Sequence, residues 1–375
     1  MKKVFSTLLT LAIMVSGLCF TSCEEKEPEG KLVVTASTNI IVADGNDEVV
    51  LTAKIGELDV TQEVFFYANN TPMSSNVFTT VKAGDYKFFA SYKGNLSNQV
   101  TVKAASPALY IAVPEDSQPE KFSDFQRKVL LTEATGTWCG YCPNMIAALE
   151  YFSENYSNAD NTVVVATHNS DELSNDASEA VIKAIVTNMT IEEQRDFGLP
   201  SCFVNFEPSS QVGTRLSVNI DAENLNSMVN MELKETARVG IATATAASAD
   251  NSTIGVRAAV KVGKAGSYRI NAWLIEDGVS AYQSNAGVIK HMHILRGASS
   301  VSPIQGQLLG EKESCAAGDV IDFYYEFDTK EHKIANVKNC KVAVLVTAGS
   351  GSASKFFVNN IVECAVGEAV PFAYN

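Results

Sequence analysis

Between residues 31 and 104 apolar and polar side chains alternate in short runs, at 32–36, 48–55, 63–67, 86–92 and 99–102. Turn residues such as Asp44-Gly45-Asn46-Asp47 and Lys93-Gly94-Asn95 separate these runs, and no helical period intervenes. A period of two buries one face of a strand and wets the other, so a small antiparallel sandwich is predicted here. Residues 105–124 are Pro-rich and polar, with few apolar side chains to bury, and read as a linker. From Gln126 the period changes. A strand at 129–134 leads into a helix from Cys139 to about Tyr156, with Met145, Ile146, Leu149 and Phe152 on one face. The apolar run 162–166 should be a strand covered on both faces, as in a central parallel sheet. A helical insert at 171–195, a strand at 202–205 and a helix at 221–235 follow. Thereafter the pattern is β again, at 239–244, 254–262, 268–275, 291–296, 320–327, 341–346 and 356–362. The predicted fold class is multidomain, α/β plus all-β: an N-terminal sandwich, a central α/β domain and a C-terminal β-sandwich.

Length supports several cores, and composition shifts place their boundaries. The divisions are 1–22, 23–30, 31–104, 105–124, 125–237 and 238–375. Met1-Lys2-Lys3, the apolar run 4–20 and Thr21-Ser22-Cys23 have the layout of a secretory signal, with an apolar core too short to read as a membrane span. Phe20-Thr21-Ser22-Cys23 resembles a bacterial lipobox, which implies removal of residues 1–22 and lipidation of Cys23, palmitate included. A plain secretory signal or an uncleaved anchor is the alternative. The acidic tether Glu24-Glu25-Lys26-Glu27-Pro28-Glu29-Gly30 resembles an export signal to the outer face of the outer membrane, and otherwise reads as a solvated spacer. The implied location is the outer membrane, lipid-anchored and facing the cell surface, with the periplasmic face as alternative. Signal removal takes only Lys2 and Lys3, leaving 27 basic against 43 acidic residues. That balance of −16 repels phosphate backbones and excludes nucleic acid as a partner. The 31–104 sandwich resembles bacterial immunoglobulin-like modules, which serve as spacers and less often as binders.

The chemistry concentrates in Trp138-Cys139-Gly140-Tyr141-Cys142-Pro143. Two cysteines three apart at a helix start lie within disulfide reach, and the free amides there stabilise a thiolate on the first. Cys139 is the expected nucleophile and Cys142 the resolving thiol. Trp-Cys-Gly-x-Cys after an apolar strand, with Glu133 six residues before the first cysteine, resembles the thioredoxin superfamily. The resemblance implies a thioredoxin-like domain in which Glu133 is a buried carboxyl that takes the resolving thiol's proton, against a strand-end surface residue as the plain reading. The Gly140-Tyr141 pair is similar to that of periplasmic disulfide isomerases, so reductase, oxidase and isomerase all stay open. Phe197-Gly198-Leu199-Pro200-Ser201 matches the family's cis-proline loop, implying that Trp138, Leu199 and Pro200 contact a protein or peptide thiol or disulfide substrate. An ordinary trans turn is the alternative. No second Cys-x-x-Cys completes a zinc site, and neither metal nor cofactor is expected. His168, at the end of the second strand, is either a tuner of Cys139 or a structural histidine, and Cys202 reads as an inert core thiol.

Asn271-Ala272-Trp273-Leu274-Ile275-Glu276-Asp277-Gly278 and the 291–296 run, with Arg127-Lys128-Val129 and the Cys-x-x-Cys segment, are similar to the outer membrane protein 28 related lipoprotein family over roughly residues 120–370. On one strand His291 and His293 would share a face, where Glu276 or Asp277 could complete a metal site or, with Arg296, a hydrogen-bonded layer. If Val342 and Val362 oppose one another in a hairpin, Cys340 and Cys364 fall opposite as a structural disulfide, with Cys315 competing for either. Two functions follow: thiol–disulfide exchange through Cys139 and Cys142, or surface binding and adhesion on a non-catalytic scaffold.

Overall fold

The structure, a computed structural model, describes residues 30–208, 211–213, 217–349 and 356–375. The expected signal segment, Cys23 and all of the tether but Gly30 lie outside them. The molecule is mostly β, in several sheets. Its N-terminal part has strands β1 (Leu32–Ala36), β2 (Ile40–Val42), β3 (Val49–Ile55), β4 (Leu58–Asp59), β5 (Phe65–Ala68), β6 (Thr71–Pro72), β7 (Val77–Phe78), β8 (Gly84–Tyr92), β9 (Asn95–Leu96) and β10 (Val100–Ala105). One sheet runs β1-β3-β4, with β7 on β3; the other runs β2-β10-β8-β5-β6, with β9 on β8. Between them the inward half of the alternation, including Val34, Leu51, Phe88 and Val102, is buried.

Residues 105–124, read as a linker, are packed down instead. Leu109 is buried against Ile40, Ala105 and Tyr324. Further on, the buried Lys261 Nζ lies 2.6 Å from Asp116 and donates to the Gln118 and Pro119 carbonyls. Tyr110 and Phe122 add to these contacts, so a stretch whose average composition is polar is held by a few of its residues.

The remaining elements are β11 (Val129–Thr135), α1 (Cys142–Asn155), β12 (Thr162–His168), α2 (Asp176–Asn188), α3 (Ile191–Asp196), β13 (Ser201–Val204), β14 (Val212–Gly213), α4 (Val218–Glu232), β15 (Val239–Ala247), β16 (Thr253–Val262), β17 (Tyr268–Glu276), β18 (Val279–Gln283), β19 (Gly287–His291), β20 (Ile294–Ala298), β21 (Gln307–Leu308), β22 (Val320–Asp328), β23 (Cys340–Gly349), β24 (Phe356–Ala365) and β25 (Ala369–Val370). The largest sheet has the order β14-β13-β11-β12-β20-β17-β23-β24, with β21 on β17. The expected boundary at 237/238 is therefore no break in the sheet, because β12 pairs in parallel with β20 at Ala166 and Ile294. The sheet also curls: Asn360 of β24 accepts from Lys128 N and donates to the Gln126 carbonyl, beside the start of β11.

Both faces of its central strands are covered. On one, Leu130, Val165, Trp273 and Leu345 pack with Val181 and Ile185 of α2. On the other, Leu131 meets Met145 of α1 and Leu225 of α4, while Ile270, Leu274 and Val344 meet β15, β16 and β22 of the second sheet, β22-β16-β15-β25. Two-sided burial is why 272–275 and 342–346 are continuous apolar runs rather than alternations.

Candidate functional site

Strand β11 carries Glu133 to the face that α1 covers, and the chain then turns through Gly136 to Gly140 into α1. Cys139 and Cys142 are disulfide-bonded, with Cα atoms 5.5 Å apart. The helix starts at Cys142 and not at Cys139, because the Cys139 N–H is turned back to the Gly136 carbonyl at 3.0 Å. No side chain caps α1, and its dipole end faces the cysteine turn without local compensation. Both cysteines are buried, Cys142 completely, while Trp138 and Tyr141 between and beside them are 56% and 70% exposed.

The turn is held from two sides. From β12 and the loop after it, the Asp171 carboxylate accepts from Thr137 N at 2.8 Å, and the Asn169 carbonyl accepts from the Trp138 indole at 2.9 Å. Burial alone would raise Asp171, but the hydrogen bond and charge of His168, 2.8 Å away, and the amides of Thr137 and Leu173 hold it below the usual carboxylate range. From the other side comes the hairpin β18–β19, a two-stranded unit outside both large sheets. Gln283 Nε2 donates to the Gly136 and Cys139 carbonyls at 3.2 and 2.9 Å, Ser284 N to the Thr137 carbonyl at 2.8 Å, and Asn285 Nδ2 to the Gly140 carbonyl at 2.9 Å. A Cβ on Gly140 would lie 2.5 Å from Asn285 Nδ2, so a larger residue there would displace the Asn285 side chain from its bond to the turn. Nothing in the alternation of 271–296 marked these residues; the turn-forming Ser284-Asn285-Ala286-Gly287 was the available signal.

Glu133 is buried beneath α1, and burial pushes its carboxyl up from 4.5 to about 7, with Thr135 offsetting part of the rise. It pairs across the sheet with Cys202, whose thiol burial and then the Glu133 charge push far above its ordinary value. Glu133, Thr135 and His291 line one cavity of about 250 Å³, and each presents a buried atom that no protein group satisfies: Glu133 Oε1, Thr135 Oγ1 and His291 Nε2. The cavity also has apolar walls, including Ile146, Leu149 and Val163, and its unsatisfied polar atoms are groups that water could bridge.

The Leu199–Pro200 bond is cis. Tyr141 shares a groove of about 600 Å³ with Leu199, Pro200, Ser201 and Gly213, beside the edge strand β14. Tyr141, between the two cysteines, thus borders the groove that holds Leu199 and Pro200, while Glu133 lies on the other side, beneath α1.

His291 and His293 do not share a strand face. His293 has φ +59°, which ends β19 before β20 begins, and its N–H donates to Asp277 Oδ1 at 2.6 Å. His291 instead stacks edge-on to His168, ring centroids 5.2 Å apart, while His293 lies by Asp277 and Lys341. Among the described residues no cluster of three His, Cys, Asp or Glu side chains could hold a metal. Cys340 and Cys364 are both free: β23 and β24 pair Val342 with Cys364 and Val344 with Val362, two residues away from the expected register, with a bulge at Val346/Thr347. Cys202 and Cys315 are free and buried as well.

Residues 198–370 match the family described as Outer membrane protein Omp28, so the resemblance to that family holds over this part of the chain. The matched stretch contains Leu199, Pro200 and the hairpin but not Cys139 and Cys142. Among solved structures, HBP35 of Porphyromonas gingivalis is similar at 18% identity over 68% of this chain and 79% of that one, with a TM-score of 0.54, a likeness of fold. A domain of the outer membrane lipoprotein Omp28 from Porphyromonas gingivalis aligns at 15% identity over 36% of this chain and 90% of that one, with a TM-score of 0.23. No curated protein matches the chain.

Proposed function

We propose that this chain is an outer-membrane lipoprotein, anchored through lipid on Cys23 and facing the cell surface, that exchanges thiols and disulfides with protein or peptide substrates. The working part is read as a thioredoxin-like domain built on residues 125–237, with the 31–104 sandwich as its spacer from the membrane. The observation that carries the reading is the placement of the Cys139–Cys142 disulfide at the start of α1, above a buried carboxyl held near neutrality. A scaffold has no need of a buried Glu133 there, since burying a carboxyl with one oxygen lacking a protein partner costs stability. Location is supported by the family match and by the absence, among the described residues, of any helix long and apolar enough to cross a membrane.

In the reduced protein the Cys139 thiolate attacks one sulfur of a substrate disulfide, lying along the Tyr141 and Pro200 groove and added as a strand at Leu199. The other substrate sulfur leaves as a thiolate. Glu133 then takes the Cys142 proton, and the Cys142 thiolate attacks Cys139, restoring the internal disulfide and releasing the second substrate thiol. Cys142→Ser should accumulate mixed disulfides with partner proteins and Cys139→Ser none, as read on non-reducing gels of cells quenched with acid. Equal trapping by the two variants would sink the exchange reading and leave surface binding in its place.

A further inference from the structure

Resting on that redox reading, we propose that Gln283 and Asn285 are positioning residues of the cysteine turn, through which the hairpin β18–β19 biases Cys139 and Cys142 toward their disulfide. The hairpin lies inside the family-matched stretch, whereas the cysteines lie outside it. It belongs to neither large sheet, and its tip spends its hydrogen bonds on the cysteine turn. Gln283 is fully buried and bridges two carbonyls of the same turn, Gly136 and Cys139; Ser284 N and Asn285 Nδ2 take the carbonyls of Thr137 and Gly140. Three consecutive residues therefore place four hydrogen bonds on the backbone from 136 to 140 in its disulfide-bonded shape.

Reduction breaks the S–S bond and moves the sulfurs from bonding to van der Waals separation. The segment carrying Cys139 must then shift. A buried amide fixed to both ends of that segment cannot follow without stretching a bond, and Gln283 is fully buried. Hydrogen bonds better formed in one state than the other shift the equilibrium by their difference. Here the disulfide is the favoured state. Packing alone predicts otherwise, because a side chain that merely fills space supports both states equally.

The test is the equilibrium with dithiothreitol, in which the protein disulfide takes two electrons and two protons, becomes two thiols and leaves cyclic oxidised dithiothreitol; maleimide mass shifts read the ratio on intact, folded protein. Gln283→Met keeps length and removes both donors, and Asn285→Ala, at the exposed tip, leaves the hairpin's buried face alone. Each should make the pair about threefold easier to reduce, and together about tenfold, equivalent to a potential ~30 mV higher. Values within twofold of wild type for Asn285→Ala and for the double variant, or a shift the other way, overturn the inference; if Gln283→Met does not fold, Asn285→Ala decides. The equilibrium needs no protein substrate. A shift without trapping by Cys142→Ser would remove the exchange function and keep the clamp, while trapping without a shift would do the reverse.

Discussion

At the scale of single residues, two buried groups beside the cysteine turn titrate in overlapping ranges with opposite consequences. Glu133 holds its proton up to about pH 7 where an unfolded chain loses it near 4.5. Across that window the folded state binds more protons, so this group's contribution falls as pH rises and the loss is complete above 7, at about 3 kcal/mol. His291 runs the other way. Burial, and then the neighbouring His168, push it from 6.5 to about 4, with Asp171 and Glu172 opposing. The unfolded chain takes up a proton the folded one refuses, so stability falls as pH drops from 6.5 toward 4. In the wild type the two slopes offset each other. Glu133→Gln should raise stability at pH 8, leave it nearly unchanged at pH 4.5, and expose the histidine slope; His291→Gln should expose the glutamate slope. Urea unfolding of the oxidised proteins at several pH values checks both, and parallel pH curves for all three would refute the assignments. If Glu133 takes the Cys142 proton, Glu133→Gln should also slow release of the mixed disulfide by about 10²-fold in quenched-flow measurements near pH 7.

The elements that could be read from sequence were those whose signal is local. Alternation placed β1, β3 and β8, and the apolar run 162–166 placed β12, each within two residues; the later β pattern placed β17 within one residue and ended β23 three residues short. The cysteine turn and Pro200 were legible as motifs with chemistry attached. Three features were not, each for a non-local reason. The strand expected at 291–296 is cut at His293 because Asp277, sixteen residues upstream, takes its amide. The bulge at Val346/Thr347 shifts the β23–β24 register by one residue and supplies part of the two-residue offset by which Cys340 and Cys364 miss one another. The 105–124 stretch docks because Lys261, far along the chain, is buried against Asp116. That last contact is testable at the same scale. Burial alone would lower Lys261, but Asp116 and Tyr374 hold its ammonium above its ordinary value, so it stays charged inside. Removing one partner strands that charge: Asp116→Ala should cost about 3 kcal/mol, whereas Asp116→Ala combined with Lys261→Met should recover most of it. Equal losses in the single and double variants, by urea unfolding, would mean that the pair does not hold the segment.

For the whole molecule, the decisive fact is where cores close. The N-terminal sandwich closes by itself, since its core cluster draws only on residues between Leu32 and Ala104. The α/β part does not close at residue 237. Trp273, fully buried, lies against Phe206 with ring centroids 5.6 Å apart, and Leu130 and Val165 share their cluster with Leu295, Leu345 and Ile361. Cut at the boundary composition suggests, β12 would become an open edge and the Leu130 face would lose its covering strands, an arrangement that pairs with other chains. The hairpin that grips the cysteine turn would be lost with them. Residues 125–237 alone should therefore show no cooperative unfolding and should aggregate, while 125–375 should unfold in one cooperative transition and 31–104 in its own. Calorimetry on the three pieces separates these outcomes. A sharp, reversible transition from 125–237 alone would mean that the shared sheet is a docking of two finished domains and not a single core.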